Sequence, residues 1–281
     1  MLNNRITNPL KYHGGTTYMS NNIISRMPKH IQYVEVFGGG LSILLAKDPT
    51  GVSEVVNDIY GHLMTFWFVL QNPDLFQRFK QLCEATPFSS EQWAQSRKKL
   101  SNADPVIVAH AFFVLCRQSR QGLMKDFVTL SRNRVRRGLN EQVSSWLTAV
   151  DGLPEVHDRL KRVVILDRDA LEVIQQQDGQ NTLFYLDPPY VKSTRVAQAA
   201  YEHEMTDQDH HQLVDVILKC SGKVMLSGYP NMIYQRLEAA GWDTVDFNVT
   251  KSSSSQATKP KAVERIWANF ELGSEGAESA S

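Results

Sequence analysis

Apolar and polar positions divide the chain into two kinds of segment. Short runs rich in β-branched and apolar residues occur near the start and in the last third, and each is typical of a buried strand. Helical patterns lie between them. The predicted strands are 32–36, 52–57, 163–166, 183–186, 224–227 and 245–249, and the predicted helices between them include 41–47, 210–220 and 232–240. Strands that alternate with helices predict an α/β fold with a mainly parallel sheet that is covered on both faces.

The middle of the chain has a different pattern. Residues 61–162 carry helical periodicity at 63–70, 91–100 and 106–117, followed by a loop-like basic stretch at 131–138. We therefore predict a discontinuous α/β domain from residues 1–60 and 163–272, with a mainly helical domain of residues 61–162 inserted after the second strand. The small acidic tail 273–281 is predicted to be disordered, and the serine run 252–255 to be a mobile loop.

The charge of the chain is unevenly distributed. Thirty Lys and Arg balance thirty Asp and Glu, which excludes a polycationic protein. Ten basic and two acidic residues nevertheless lie between Arg97 and Arg137, so this segment carries a net charge of +8. By charge alone, a nucleic-acid contact and an ordinary solvated face both fit this segment.

Cysteine, histidine and hydropathy patterns argue against a disulfide-rich, metal-binding or membrane protein. The three cysteines have no C-x-x-C spacing, so the sequence predicts neither a disulfide framework nor a thiolate zinc site. We predict no metal site at His203, His210 and His211, because adjacent histidines point apart on a helix. No apolar run reaches the ~20 residues of a membrane helix, and the start of the chain lacks a signal-peptide pattern. These features predict a soluble cytoplasmic protein that does not contact a membrane.

A glycine-rich turn follows the first predicted strand. Gly38, Gly39 and Gly40 allow a ligand to approach the backbone, but Lys is absent from the position that a phosphate-binding P-loop requires. A dinucleotide fingerprint would need glycine where Ile43 stands. Asp58 ends the second strand and can accept hydrogen bonds from a ribose diol. The turn and Asp58 together favour a nucleoside-containing cofactor without a pyrophosphate, although a tight turn and a helix cap also fit them.

The most specific pattern is Asp187-Pro188-Pro189-Tyr190, which ends a predicted buried strand. Open α/β sheets bind ligands at this edge. The prolines remove two backbone donors, so the turn offers carbonyl acceptors, a carboxylate and an aromatic ring. Asp187 and the Pro188 carbonyl can accept both N–H bonds of an exocyclic amine while Tyr190 stacks on its ring.

Together with Phe37-Gly38-Gly39-Gly40, this tetrapeptide resembles those of the N6-adenine DNA methyltransferases, and the order of parts is similar to the Dam type of the D12 class. The segments 9–15, 34–40, 57–59 and 166–169 are similar to further motifs of that family. The resemblance implies a Rossmann-like methyltransferase sheet with an inserted helical target-recognition domain. It also implies S-adenosylmethionine as cofactor, S-adenosylhomocysteine as product, and no metal. The cofactor residues implied are Lys11, Tyr12, Glu35, Phe37, Gly38, Gly40, Asp58, Asp169 and Asp187.

The resemblance further implies methyl transfer to the N6 atom of an adenine flipped out of double-stranded DNA, with Asp187, Pro188, Pro189 and Tyr190 as the catalytic residues. Basic residues of the insertion and of the segment after residue 250 then become candidates for DNA contact. These candidates are Arg117, Arg120, Lys125, Arg132, Arg134, Arg136, Arg137, Lys251 and Lys259.

Two other functions remain open from the sequence. The same turn can hold another planar amine, in RNA, a protein amide or the N4 group of cytosine. A DNA-binding relative without catalysis is the other alternative, for which Thr16 is a hint because the family often has lysine there. We expect a monomer, with a dimer on DNA as the alternative, and the context is either a restriction–modification system or an orphan or phage modification enzyme.

Overall fold

A computed structural model describes residues 6–11, 18–191, 204–250 and 261–273. Its strands are β1 (Gln32–Glu35), β2 (Ser53–Asn57), β3 (Val135–Arg136), β4 (Leu139–Asn140), β5 (Val163–Leu166), β6 (Thr182–Leu186), β7 (Lys223–Gly228), β8 (Asp243–Thr250) and β9 (Lys261–Ala268). Its α-helices are α1 (Ser20–Ile24), α2 (Ser42–Ala46), α3 (Gly61–Gln71), α4 (Pro73–Glu84), α5 (Ser90–Lys99), α6 (Pro105–Gln118), α7 (Glu141–Asp151), α8 (Leu153–Leu160), α9 (Ala170–Gln177), α10 (Asp207–Ile217) and α11 (Gln235–Ala239).

A seven-stranded sheet has the strand order β5-β2-β1-β6-β7-β9-β8. Strands β2, β1, β6 and β7 pair in parallel, whereas β9 runs antiparallel to both β7 and β8. Every residue of β6 is buried, as a parallel strand covered on both faces requires. The predicted mixed α/β, mostly parallel fold is confirmed. Strand β9 was not predicted.

The chain forms two compact units. One comprises residues 1–21, 39–48 and 59–167, and the other comprises residues 22–38, 49–58 and 168–281. The domain boundaries given above stay a prediction.

The first unit is built around an aromatic core. The rings of Phe66 on α3, Phe79 on α4 and Phe113 on α6 are fully buried, and the centroids of Phe66 and Phe113 lie 5.6 Å apart in a stacked pair. Such pairs add ~0.5–1.5 kcal/mol each beyond the burial of their area. This core explains why residues 106–117, the most apolar segment of the chain, form a helix inside the unit.

The basic stretch 131–138, predicted as a loop, contains part of a short β-hairpin. Val135 pairs with Asn140 and Arg136 with Leu139, and the two residues between them, Arg137 and Gly138, have φ angles of 55° and 75°. Two successive positive φ angles define the hairpin turn that matches the twist of its strands. We call residues 131–140 the basic hairpin.

In the second unit, helix α10 begins at Asp207, three residues before the predicted start. The Thr206 hydroxyl accepts a hydrogen bond from the Asp209 amide, and the Asp209 carboxylate accepts one from the Thr206 amide. This reciprocal capping box explains the earlier start.

Candidate active site

The carboxyl ends of β1 and β2 lie at the same edge of the sheet, and Asn57 fixes that edge. Its buried side-chain amide donates to the Val36 carbonyl at 3.1 Å and to the Arg168 carbonyl at 3.0 Å, and its Oδ1 accepts from the Arg168 amide at 2.9 Å. The Gly38 amide donates to the Asn57 carbonyl at 2.7 Å. We call these four hydrogen bonds the Asn57 clamp. It holds the turn after β1, the end of β2 and the start of the α9 segment together.

Predicted cofactor residues of the second unit flank this clamp. Glu35 is buried and accepts a 2.9 Å hydrogen bond from the Tyr33 hydroxyl, while Phe37 and Gly38 lie two and three residues beyond the end of β1. Asp58 is half-buried immediately after Asn57. Asp169 is exposed and caps α9, where its Oδ1 accepts from the amides of the second and third residues of the helix. Three carboxylates therefore lie at or next to the ends of these elements, and carboxylates can accept hydrogen bonds from the hydroxyl and amino groups of a nucleoside.

Two further predicted cofactor residues belong to the first unit. The Gly40 carbonyl accepts a 2.6 Å hydrogen bond from the Asn8 side chain. The Lys11 carbonyl accepts one from the Cys116 thiol at 3.3 Å, and burial and the charge of Arg117 lower the pKa of the Lys11 ammonium. Tyr12 lies outside the described residues.

Asp187 follows the last residue of β6 and is held by its neighbours. The Ser227 hydroxyl at the end of β7 donates to Asp187 Oδ1 at 2.9 Å, and a second hydrogen bond comes from the Tyr190 side chain. The pKa of Asp187 is raised to about 7, chiefly by burial and also by the charge of Glu264, against the opposite effect of the two hydrogen bonds. A carboxylate in these surroundings is both a hydrogen-bond acceptor and a base near neutral pH.

Pro188 is buried and Pro189 is half-buried, so the backbone of this turn is fixed beside Asp187. Tyr190 is half-buried, and its ring lies against that of Tyr229 with 4.7 Å between the centroids and an interplanar angle of 71°. Aromatic rings prefer this edge-to-face arrangement. The turn therefore combines a carboxylate, a buried proline and an oriented aromatic ring.

The predicted DNA-contact residues differ in exposure. Six of them are exposed: Arg120, Lys125, Arg132, Arg134, Arg136 and Arg137. Arg134 pairs with Glu141 at 3.6 Å, and Arg137 donates to the Thr148 hydroxyl at 3.2 Å. Lys251 and Lys259 lie outside the described residues.

Arg117 is buried on α6. Its guanidinium donates to the Ser145 carbonyl at 2.6 Å and to the Ser145 hydroxyl at 2.9 Å, and burial lowers its pKa to about 10. A side chain turned inward in this way is not presented to a nucleic acid. The exposed arginines are therefore the stronger candidates for DNA contact.

Three residues near the candidate site were not singled out in the sequence: Ser227, Tyr229 and Glu264. Asn57 was noted only as part of the segment 57–59, without a role of its own. The only sequence signal was a polar residue next to the end of an apolar strand, or within one. Such a residue does not reveal its partner. Among the described residues, no group of three or more His, Cys, Asp and Glu side chains could hold a metal ion. Within the same part of the chain, no helix is both long and apolar enough to cross a membrane.

A mostly parallel seven-stranded α/β sheet, with a glycine turn, a strand-end acid and the Asp-Pro-Pro-Tyr turn, defines the class of Rossmann-like methyltransferases. The chain matches the family model for D12 class N6 adenine-specific DNA methyltransferases over residues 12–259, and it belongs to that family. Family membership supports an adenine methyltransferase. No curated protein matches the chain.

Proposed function

We propose that this chain is a site-specific DNA adenine-N6 methyltransferase that transfers a methyl group from S-adenosylmethionine to an adenine flipped out of duplex DNA. The observation that carries the proposal is the structure around Asp187. Its carboxylate lies at the carboxyl end of the central strand β6, is oriented by Ser227, and has an aromatic ring fixed beside it. This arrangement suits a planar amine more closely than a hydroxyl or a phosphate.

The edge fixed by the Asn57 clamp fits a nucleoside. Asp58 is proposed to accept hydrogen bonds from the ribose hydroxyls of the cofactor, and Asp169 to face the adenine of the cofactor. The other residues proposed for the cofactor site are Glu35, Phe37, Gly38, Gly40, Lys11 and Tyr12. When bound, S-adenosylmethionine supplies an electrophilic methyl group on a sulfonium. Carboxylates around a cationic cofactor stabilise its charge.

Asp187 and the Pro188 carbonyl are proposed to accept the two N–H bonds of the target amine. Their position directs the nitrogen lone pair toward the methyl carbon. As the C–N bond forms, the S–C bond breaks and positive charge develops on N6, which the Asp187 carboxylate stabilises. The amine then gives up one proton to the Asp187 carboxylate, which releases it to solvent, leaving N6-methyladenine and S-adenosylhomocysteine. No covalent intermediate with the protein is required.

The amine of a paired adenine is inside the duplex, so the base has to leave the stack at a cost of a few kcal/mol. Tyr190 is proposed to stack on the extruded ring and return part of that free energy, because stacking of a base on an aromatic ring is worth ~1–3 kcal/mol.

Residues 61–162 are proposed to carry target recognition. The exposed arginines of the basic hairpin are proposed to contact phosphates, and Arg120 and Lys125 lie exposed between α6 and the hairpin. Phosphate contacts set position along the duplex, whereas base-edge contacts set the target sequence.

The proposal is tested by expressing the protein in a bacterial host without adenine methylation and mapping modified bases by single-molecule sequencing. N6-methyladenine confined to one short motif, absent with Asp187→Ala, is the expected result. A folded protein that leaves the DNA unmodified but methylates RNA, a protein amide or cytosine N4 would overturn the DNA assignment. A folded protein that binds DNA but not S-adenosylmethionine would overturn the enzymatic assignment.

A further inference from the structure

The end of β7 contacts both functional side chains of the Asp-Pro-Pro-Tyr turn. Ser227 bonds to Asp187, and two positions later Tyr229 packs on Tyr190. Residues i and i+2 of an extended segment point to the same side. The spacing of Ser227 and Tyr229 therefore lets both side chains face the Asp-Pro-Pro-Tyr turn.

The hydroxyl of Tyr229 contacts a residue of β9. Strand β9 runs antiparallel to β7 with Gly228 opposite Arg265, which brings Tyr229 next to Glu264. The Tyr229 hydroxyl donates to the Glu264 carboxylate, and Glu264 is only 5% exposed. Burial and the Glu264 charge raise the pKa of Tyr229 to about 12, so this donor keeps its proton throughout the physiological range.

Gly228 gives this strand end little freedom to shift. A Cβ placed on Gly228 would lie 3.3 Å from the Tyr234 ring and 3.6 Å from the Trp267 ring, both of which are buried. The backbone between Ser227 and Tyr229 is therefore packed against rigid aromatic groups, and the two side chains have fixed origins.

We propose that Tyr229, held by Glu264, is a positioning residue that fixes the plane of Tyr190 on which the target adenine stacks. This inference rests on the proposed function. A ring free to rotate about χ1 and χ2 would lose part of its stacking free energy to ordering, whereas a ring held edge-to-face by Tyr229 is already ordered before the base arrives. Tyr229 itself need not touch the substrate.

The test uses the full-length protein, S-adenosylmethionine and a duplex with the mapped motif. The variants are Tyr229→Leu, which removes the ring, Tyr229→Phe, which removes only the hydroxyl, and Glu264→Gln, which keeps an acceptor for that hydroxyl. Phe270→Leu replaces another half-buried ring, just after β9 and outside residues 61–162, and is the matched control.

We expect Tyr229→Leu to lower kcat/KM for DNA by about tenfold or more, since small displacements of reacting groups can cost up to 10² in rate. The affinity for S-adenosylmethionine and the melting temperature should stay near those of Phe270→Leu. Tyr229→Phe should lose about threefold, and Glu264→Gln less than Tyr229→Phe at pH 8. With 2-aminopurine at the target position, Tyr229→Leu should still extrude the base but stack it less, giving brighter fluorescence than the wild type.

Folded Tyr229→Leu with DNA kinetics within twofold of the wild type would overturn the inference while leaving the proposed function intact. If Tyr229→Leu does not fold, Tyr229→Phe with unchanged kinetics and fluorescence would overturn the inference in the same way. Wild-type protein that makes no N6-methyladenine would overturn both.

Discussion

The side chain of Asn57 and the backbone of Arg168 form a reciprocal pair of hydrogen bonds of 3.0 and 2.9 Å. The pair ties the loop that carries Asp169 to the strand end that carries Asp58. The contact therefore sets the relative position of the two carboxylates that are proposed to bind the cofactor.

Replacing Asn57 with alanine should weaken both folding and cofactor binding. Buried partners left without a hydrogen bond cost ~1–3 kcal/mol, so the melting temperature should fall by several degrees. The dissociation constant for S-adenosylmethionine should rise at least tenfold in calorimetric titration. Asp58→Ala is the comparison variant, because it removes the proposed ribose acceptor while leaving the hydrogen bonds of Asn57 in place. An Asn57→Ala protein with wild-type cofactor affinity would contradict the role given to the clamp.

The rate of methyl transfer should fall as the pH drops below about 7, which gives the pH profile an acidic limb. Below its raised pKa of about 7 the Asp187 carboxyl is protonated, and it then cannot accept both a hydrogen bond from the amine and the proton that the amine releases. The groups around it are Ser227, Tyr190 and Glu264, together with Tyr229 and Tyr234. Ser227→Ala removes a donor to the ionised form and should move the limb to higher pH.

Glu264→Gln removes a neighbouring negative charge and should move the same limb to lower pH. The measurement is kcat/KM for DNA between pH 5.5 and 9. A profile that stays flat down to pH 5.5 would show that Asp187 does not titrate as its burial requires.

The folded-state pKa of Asp187 also lies above its ordinary value, so its contribution to folding is present at low pH and lost as the pH rises through about 7. Asp187→Asn should therefore melt at the wild-type temperature or above it at pH 8, and the difference should shrink as the pH falls toward 5. Thermal melts at both pH values check this. A variant that is less stable at pH 8 would mean that the ionised carboxylate supports the fold.

Neutralising exposed arginines of the basic hairpin should weaken DNA binding in a salt-dependent way. Each of Arg132→Gln and Arg136→Gln should lower the slope of log affinity against log salt by about one if it removes one phosphate contact. Fluorescence anisotropy from low to moderate salt gives the slope. Unchanged slopes would show that these side chains face solvent and do not contact phosphates.

Arg117→Gln should behave differently. The inward guanidinium bonds to Ser145, so its loss should lower the free energy of unfolding by ~1–3 kcal/mol. The salt slope should stay at the wild-type value. A slope lowered by one with unchanged stability would return Arg117 to the candidates for DNA contact.

The sequence predicts those parts of the candidate site that are marked by turn chemistry. Asp58 and Asp187 follow apolar strands at points where the pattern changes, so their places at a sheet edge could be inferred from neighbouring residues alone. Ser227 and Asn57 could not, because their importance depends on partners 40 and 111 positions away. Only the folded sheet brings those partners together.

Strand β9 shows a second limit. Its apolar alternation is interrupted by Glu264 and Arg265, which are uncommon in a strand interior. Arg265 is accommodated because it pairs with Asp246 at 2.6 Å and with Glu238 at 2.9 Å. The basic hairpin was missed for a related reason, since four arginines conceal a two-residue turn whose signal is Gly138.

The Asn57 clamp also bears on the order in which the protein is made. A ribosome releases the chain from its N-terminus at ~5–20 residues per second, and contacts between distant positions form only after the intervening chain is available. Residues 61–162 are therefore synthesised in full before Arg168 can form its hydrogen bonds with Asn57 at the end of β2. During synthesis, the segment proposed to contact DNA emerges before the sheet edge proposed to bind the methyl donor is complete. The proposed catalytic site is therefore completed after the proposed DNA-binding segment.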